Sequence, residues 1–277
     1  MTDKNAKKQD NLMKIYADLL NEHRAWLLPF DQQRLKKWEG FLKSNPEAAI
    51  CEAATRKLLS EHGVDIEPSE DLSHGGPDFL CTKDGKHFYV EVTCITKEAA
   101  TKRTKLDAEP QIDSPDSPPI WYQPPISQIL EEIRNKTPQC KDLDKPCVIA
   151  ISTLHFGIGF SCFGDKHVAE MVLTGTPYIS WDIVRDAGKA SKGYRQTTDL
   201  KDSGFIRPRK DRPYSIEEAR KTISAVLLCS PRMNPPHATG ILHPNPNYFF
   251  DRTLLPGIKF CRLVEGYKGG NLLVEWI

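Results

Sequence analysis

Residues 75–93 read Gly75-Gly76-Pro77-Asp78-Phe79-Leu80-Cys81-Thr82-Lys83-Asp84-Gly85-Lys86-His87-Phe88-Tyr89-Val90-Glu91-Val92-Thr93. Two runs rich in β-forming residues flank Asp84-Gly85, and an Asp-Gly pair is the strongest short-range signal for a β-hairpin. A two-residue turn pairs Lys83 with Lys86 and brings Asp78 opposite Glu91, with Cβ atoms about 4.5–5.5 Å apart. Two carboxylates that close usually share a proton or bind a cation.

The second strand of this hairpin has two different faces, because side chains alternate along a strand. Its apolar side chains point one way and predict a core face, whereas Tyr89, Glu91 and Thr93 point the other way. We therefore expect the acids on the non-core face, at the mouth of whatever covers the sheet. The alternative is an exposed hairpin whose acids are simply hydrated.

The hairpin resembles the PD-(D/E)XK nuclease superfamily. The match consists of Pro77-Asp78 and, thirteen positions on, Glu91-Val92-Thr93, with the preceding glycines and the apolar run around Glu91. The resemblance implies that Asp78, Glu91 and the Val92 carbonyl bind Mg²⁺, for which Mn²⁺ can substitute. It also places the superfamily's lysine at position 93, where this chain has Thr93. Thr93 carries no charge and can only hydrogen-bond the attacking water.

A helix is predicted before the hairpin, from Ala48 to about His62. Asn45-Pro46-Glu47 has the residue types of a helix start, and Gly63 is a typical helix end. Glu52 falls on the inward stripe of this helix, where a carboxylate needs a reason. The resemblance supplies one, since the superfamily often takes a metal-site acid from this helix. Glu47 is the rival, but the helix dipole alone explains an acid in the first turn.

A second helix and a strand follow the hairpin. Ile126, Ile129 and Ile133 have helical spacing, Lys136 continues their stripe, and residues 147–152 form an apolar run typical of a buried strand. The resulting order matches the superfamily. We therefore predict an α/β fold with a restriction endonuclease-like αβββαβ core: a central mixed sheet flanked by helices, plus an N-terminal helical segment. Lys136 is the candidate for the relocated catalytic cation.

Two segments lie outside that core. Residues 1–45 are predicted to be a helical appendage, either packed on the core or touching DNA or a second copy of the chain. Residues 46–277 would form the nuclease domain, with a basic insertion at about 161–222. Residues 185–212 carry nine Lys or Arg against four Asp or Glu. This segment either contacts phosphates or is a solvated surface loop; the candidate contacts are Arg207, Arg209, Lys210 and Arg212.

Composition limits the class of protein. The chain has 277 residues, a net charge of +1 and eight scattered cysteines. The cysteines form no Cys-x-x-Cys pair, which favours reduced, mostly buried thiols in a cytoplasmic protein and disfavours a zinc ribbon. No apolar run is long enough to span a membrane. Because the net charge is near zero, nucleic-acid affinity has to come from a local patch.

The sequence thus predicts a Mg²⁺-dependent endonuclease that hydrolyses phosphodiester bonds in DNA, or in RNA, with a role in restriction, phage defence or repair. Two alternatives stay open. One is a nuclease fold that has lost catalysis and binds nucleic acid. The other is an acidic pocket in an unrelated α/β phosphoester hydrolase.

Overall fold

The computed structural model describes residues 11–71, 75–106, 108, 123–184, 189–200, 203–211, 215–232, 236–269 and 272–277. The main helices are α1 (Ala17–Leu27), α2 (Gln32–Ser44), α3 (Pro46–Glu61), α4 (Lys97–Thr104), α5 (Gln123–Lys136) and α6 (Lys166–Thr174). The first strands are β1 (Asp65–Pro68), β2 (Phe79–Lys83), β3 (Lys86–Ile95), β4 (Cys147–Thr153), β5 (Thr176–Val184) and β6 (Lys189–Asp199). The remaining strands are β7 (Ile206–Pro208), β8 (Ile216–Glu218), β9 (Ala225–Ser230), β10 (His237–Leu242), β11 (Lys259–Leu263) and β12 (Val274–Trp276).

Eight strands form one mixed sheet in the order β1-β2-β3-β4-β9-β10-β11-β12. The pairs β3–β4, β4–β9 and β10–β11 are parallel, and the other neighbours are antiparallel. The predicted mixed α/β architecture, a central sheet with helices, is confirmed. No helix within the described ranges is both long and apolar enough to cross a membrane.

The hairpin has the predicted register. Lys83 pairs with Lys86, and the ladder runs back to Phe79 opposite Val90. Asp84 and Gly85 both have positive φ, 50° and 71°, which a type I′ turn requires at its two central residues. Asp78 comes one residue before β2, so the predicted pairing of Asp78 with Glu91 falls just beyond the last pair of the ladder, Phe79 with Val90.

Both faces of the sheet are covered, so the expectation that the acids lie on a non-core face is wrong. On one face, Val90 and Val92 pack with Val148 in a buried cluster. On the other face, Ile149 packs with Ile133 of α5. Because α5 covers the face that carries Glu91, this residue is only 2% exposed.

The N-terminal helices pack on the core. Leu20, Trp38 and Leu42 from α1 and α2 share a buried cluster with Ala49 and Ile50 of α3. Helix α2 is capped at its start, because the Asp31 side chain accepts a hydrogen bond from the backbone N–H of Gln33 at 2.8 Å. The first two helices are therefore anchored through apolar side chains to the helix that precedes the sheet.

The predicted basic insertion is largely regular structure. It contains α6 and two small antiparallel sheets, β5–β6 and β7–β8. Phe205 and Ile206 are buried in the same cluster as Ile133 of α5. At least this part of the segment belongs to the core, so a purely solvated loop is the wrong description of it.

The thiol prediction is confirmed as well. All eight cysteines are free, and all but Cys94 are buried. Burial raises the pKa of the Cys229 thiol to about 12, which keeps it protonated and unreactive.

Candidate active site

A cavity of about 430 Å³ opens where β2 begins beside β3, between the sheet and the N-terminal helices. Its walls include six residues that the sequence singled out: Glu52, Asp78, Glu91, Val92, Thr93 and Lys136. Helix α3 supplies the first of these, the hairpin supplies the next four, and α5 supplies the lysine. Elements far apart in the chain thus converge on one site.

Asp78 is held by the backbone of β3. Its Oδ2 accepts a hydrogen bond from the Val92 N–H at 2.6 Å. Odd-numbered residues of β3 point their backbone groups toward β4, as shown by the Tyr89 N–H, which donates to the Pro146 carbonyl at 2.7 Å. Because the N–H and C=O of one strand residue point to the same edge, the Val92 carbonyl also points to the side where Asp78 lies.

Glu91 and Lys136 form a buried contact. Lys136 Nζ lies 2.6 Å from Glu91 Oε1, and the lysine side chain keeps 24% of its surface exposed. The other oxygen, Glu91 Oε2, is buried and has no hydrogen-bond partner among the described residues. A buried carboxylate oxygen without a partner is costly, so this atom is suited to a ligand from outside the chain.

The pKa values of both acids are raised far above their ordinary range. Burial raises the pKa of Asp78 to about 6, although the Val92 N–H and Lys136 oppose the shift. Burial also raises the pKa of Glu91 to about 8, and the nearby Asp78 adds to this while Lys136 opposes it. For Lys136, burial lowers the pKa, but Glu91, Asp78 and Glu132 together outweigh it and the net shift is upward. At neutral pH, Asp78 and Glu91 together therefore retain about one proton.

Glu52 is the third acid of the cavity. Burial raises its pKa well above the ordinary value, and Asp78 is the next cause. His23 Nε2 lies 3.6 Å from Glu52 Oε1, with the histidine side chain fully buried. Burial lowers the pKa of His23 to about 3, so the histidine is neutral and does not act as a counter-ion.

Thr93 has a partner that the sequence analysis missed. Its hydroxyl donates to Glu132 Oε2 at 2.6 Å. Glu132 precedes Lys136 by four residues, a spacing that places both on one face of α5, and this is the signal that could have identified it. The Thr93 proton is directed at Glu132, so the hydroxyl oxygen remains as an acceptor for another donor.

Gln139 also lines the cavity. It lies in a 3₁₀ turn over Thr137–Cys140, just beyond the end of α5, because Pro138 disfavours a helical residue before it. His243, which follows β10, is buried, and its two ring nitrogens lie within hydrogen-bonding distance of the Ala219 carbonyl and the Asn245 N–H.

The predicted nucleic-acid contacts are partly neutralised by neighbouring acids. Arg207 lies 3.6 Å from Glu217, and Arg209 lies 2.9 Å from Asp211. Lys210 is exposed, and Arg212 lies outside the described residues. The three described basic residues are not among those that line the cavity, so any contact they make with nucleic acid is away from the acids.

The far wall of the cavity comes from the N-terminal helices. Trp26 of α1 and four residues of α2 line it: Arg34, Lys37, Trp38 and Phe41. None of these residues was predicted to belong to the site. The signal that could have identified them is the spacing of the four α2 residues, which repeats at three, four and seven positions and marks one helical face.

The residues present fit a Mg²⁺ ion that is bound by only a few protein ligands. No group of three or more His, Cys, Asp or Glu side chains in the described part of the chain is placed to hold a metal ion. Mg²⁺, however, is commonly bound through one or two carboxylates, with waters and substrate phosphates completing the shell. Asp78, the partnerless Glu91 Oε2 and the Val92 carbonyl meet that smaller requirement.

Comparison of the chain with models of protein families, with curated proteins and with solved structures found no match.

Proposed function

We propose that the protein is a metal-dependent nuclease that hydrolyses phosphodiester bonds in DNA and has a restriction endonuclease-like core. One observation carries the proposal. A lysine from α5 lies 2.6 Å from a buried glutamate of β3, and both line the same cavity as Asp78. Two acids with raised pKa values beside one cation are typical of a catalytic site.

The order of elements supports the same class. Helix α3 is followed by the antiparallel strands β1, β2 and β3, then by helices, and then by β4 parallel to β3. This is the αβββαβ order, with the acids at the hairpin and a further acid, Glu52, on the first helix. The superfamily places its acids at the same steps.

The residues divide the chemistry between them. A bound Mg²⁺ would polarise the phosphate and lower the pKa of a water ligand. Asp78 and Glu91 would hold the ion as carboxylates, so binding would require loss of the proton that they retain. Lys136 would offer its ammonium group to the charge that develops on the phosphate. Thr93 accepts a hydrogen bond from the attacking water through its hydroxyl oxygen.

A nucleic-acid-binding protein without catalysis is the second candidate, and one observation favours it. The position where the superfamily has its lysine carries Thr93, whose hydroxyl is hydrogen-bonded to Glu132. In this arrangement Lys136 is also engaged with Glu91. A site in which neither group turns to a substrate would bind and not cut.

Cleavage of a labelled DNA oligonucleotide, offered both as a single strand and as a duplex, distinguishes the two. Asp78→Asn and Glu91→Gln keep the size of each side chain and remove one ionisable group, so each should abolish cleavage supported by Mg²⁺ or Mn²⁺. Glu67→Gln is the matched control, because Glu67 is an exposed acid on the neighbouring strand β1. EDTA should stop cleavage by wild type and control alike. Wild-type activity in both site variants would show that the site is wrongly assigned, and absence of wild-type cleavage with either metal would favour the binding protein.

A further inference from the structure

One face of α2 is built from cations and aromatic rings, and it faces the cavity. Arg34, Lys37, Trp38 and Phe41 follow one another at helical spacing, and all four line the cavity that contains the acids. Trp38 is 5% exposed and is part of the packing. Phe41 is 37% exposed, which leaves much of a large apolar ring in water at the cavity wall.

The cations on this face are held in place. Arg34 Nη1 donates to the Glu70 carbonyl at 2.7 Å, and Lys37 Nζ lies 3.0 Å from the Glu70 carboxylate. The Lys37 side chain is still 47% exposed. Its ammonium group can therefore donate to a phosphate oxygen without leaving its position.

The opposite wall lies deep. The Glu91 residue is 2% exposed, and the Glu52 side chain is 18% exposed. The cavity of about 430 Å³ falls in the range of about 300–1,000 Å³ that encloses one small molecule. A phosphate that reaches the acids therefore enters a space lined by α2 and the hairpin, and that space holds little more than one nucleotide.

A continuous duplex does not fit this geometry. Its bases are stacked inside a rod whose major groove alone is about 12 Å wide, so its phosphates meet a protein on a broad open surface. A single strand can bend one phosphate inward and turn the attached base to a side wall. Such sites combine cations along the backbone with aromatic side chains on which bases stack.

We propose that the site takes single-stranded nucleic acid, with the base next to the reacting phosphate stacked on Phe41 and the adjoining phosphate bound by Lys37. This inference rests on the proposed nuclease function and names its substrate class. The N-terminal helices then determine which strand topology reaches the acids, in addition to stabilising the core.

The test compares one labelled oligonucleotide as a single strand and annealed to its complement, in binding without metal and in cleavage with Mg²⁺ or Mn²⁺. Wild type should bind and cut the single strand in preference. Phe41→Ala should weaken single-strand binding about 5- to 100-fold, the range of one lost base–aromatic stack. Phe249→Ala is the matched control, since Phe249 is 71% exposed and lines a different cavity.

Lys37 has its own control in the same helix. Lys37→Gln should flatten the slope of log affinity against log salt by about 0.7 for a single strand. Lys36→Gln should leave that slope unchanged, because Lys36 is exposed and off the cavity-facing stripe. Equal binding of duplex and single strand would overturn the single-strand inference, and so would wild-type affinity in Phe41→Ala. Metal-dependent cleavage in the same experiment would still uphold the nuclease. Single-strand binding that depends on Phe41, without any cleavage, would support the binding surface and refute the nuclease.

Discussion

At the residue scale, Lys136 combines a position and a partner. Its position follows from Ile126, Ile129 and Ile133, whose burial fixes the inward stripe of α5 that Lys136 continues. Its partner follows from the hairpin register, which puts Glu91 on the strand face that α5 covers. The contact leaves Glu91 Oε2 without a hydrogen-bond partner in the part of the chain that the structure describes. The lysine therefore compensates part of the buried charge and leaves a ligand position open.

Replacing this lysine tests whether it is the relocated cation. Lys136→Ala should lower cleavage about 10²- to 10³-fold, the typical cost of losing one charge-stabilising donor. Adding Thr93→Lys should restore part of the activity, because position 93 lines the same cavity and a lysine there would return a positive charge to it. That lysine would lie beside Glu132, which now accepts the Thr93 hydroxyl. Lys141→Ala is the control, because that side chain is 71% exposed. Initial rates of oligonucleotide cleavage measure all four proteins, and full activity in Lys136→Ala would rule out the relocation.

The raised pKa of Glu91 predicts how stability changes with pH. The folded-state pKa is about 8 against an ordinary value of 4.5, so the folded protein binds the proton more tightly than the unfolded chain does. The corresponding stabilisation is fully present below pH 4.5 and is lost as the pH rises through 8. The melting temperature of metal-free wild type should therefore fall between pH 6 and pH 9.

Glu91→Gln should flatten that fall, because a neutral side chain cannot release the proton. Thermal unfolding in EDTA across the pH range measures it, and each kcal/mol should correspond to about 2–4 °C. Glu67→Gln should behave like wild type, since Glu67 is exposed. A wild-type slope in the Glu91→Gln protein would mean that other groups govern the transition.

At the element scale, local signals determined what could be predicted from the sequence. The turn at Asp84-Gly85 fixed the hairpin register, and with it which residues lie near Asp78. The helix starts at Asp31 and Asn45 were equally local. The coverage of the second face by α5 was not local: it depends on Ile133 meeting Ile149, and strand alternation alone made that face look open.

The wall formed by α2 was missed for a similar reason. The sequence shows that Arg34, Lys37, Trp38 and Phe41 share one helical face. It does not show what this face contacts, because that depends on how α2 packs on α3. That packing is set by Leu42 and Ile50, residues far from the hairpin in the chain. The three acids and the lysine could be predicted as a set, whereas the surface that closes the site over them could not.

One element can be tested without any assay of function. Strand β10 approaches β11 closely at Gly240, where an added Cβ would lie 2.1 Å from the ring of Phe260. Phe260 is fully buried, so the ring has little room to move. Gly240→Ala should cost at least about 2 kcal/mol of unfolding free energy. Gly269→Ala is the control, since no atom lies within 4 Å of a Cβ built there. Urea denaturation that gave equal values for both would show that β10 and β11 are not packed this closely.

At the scale of the whole molecule, the sheet, α5 and the N-terminal helices meet at one polar cavity. The hairpin supplies Asp78 and Glu91, α5 supplies Lys136, and α2 lines the same cavity. Buried acids that share a proton destabilise a fold, and the packing of these elements holds the two acids close together. A ligand that replaces the proton should therefore stabilise the entire molecule.

Metal binding should raise the melting temperature of the whole chain. A ligand that binds only the folded state adds about 2.7 kcal/mol at a concentration of 100 times its Kd, which corresponds to about 2–4 °C for each kcal/mol. Asp78→Asn and Glu91→Gln should each lose most of this shift, because each removes one of two carboxylate ligands. Glu67→Gln should keep it, and an equal ionic strength of NaCl should not reproduce it.

The shift should also grow from pH 6 to pH 8, since Mg²⁺ has to displace the proton that the acids share. Thermal unfolding in Mg²⁺ or Mn²⁺ measures these effects without requiring a substrate. A shift of the same size in the Asp78 and Glu91 variants would place the ion elsewhere and remove the basis for metal-dependent catalysis at this cavity.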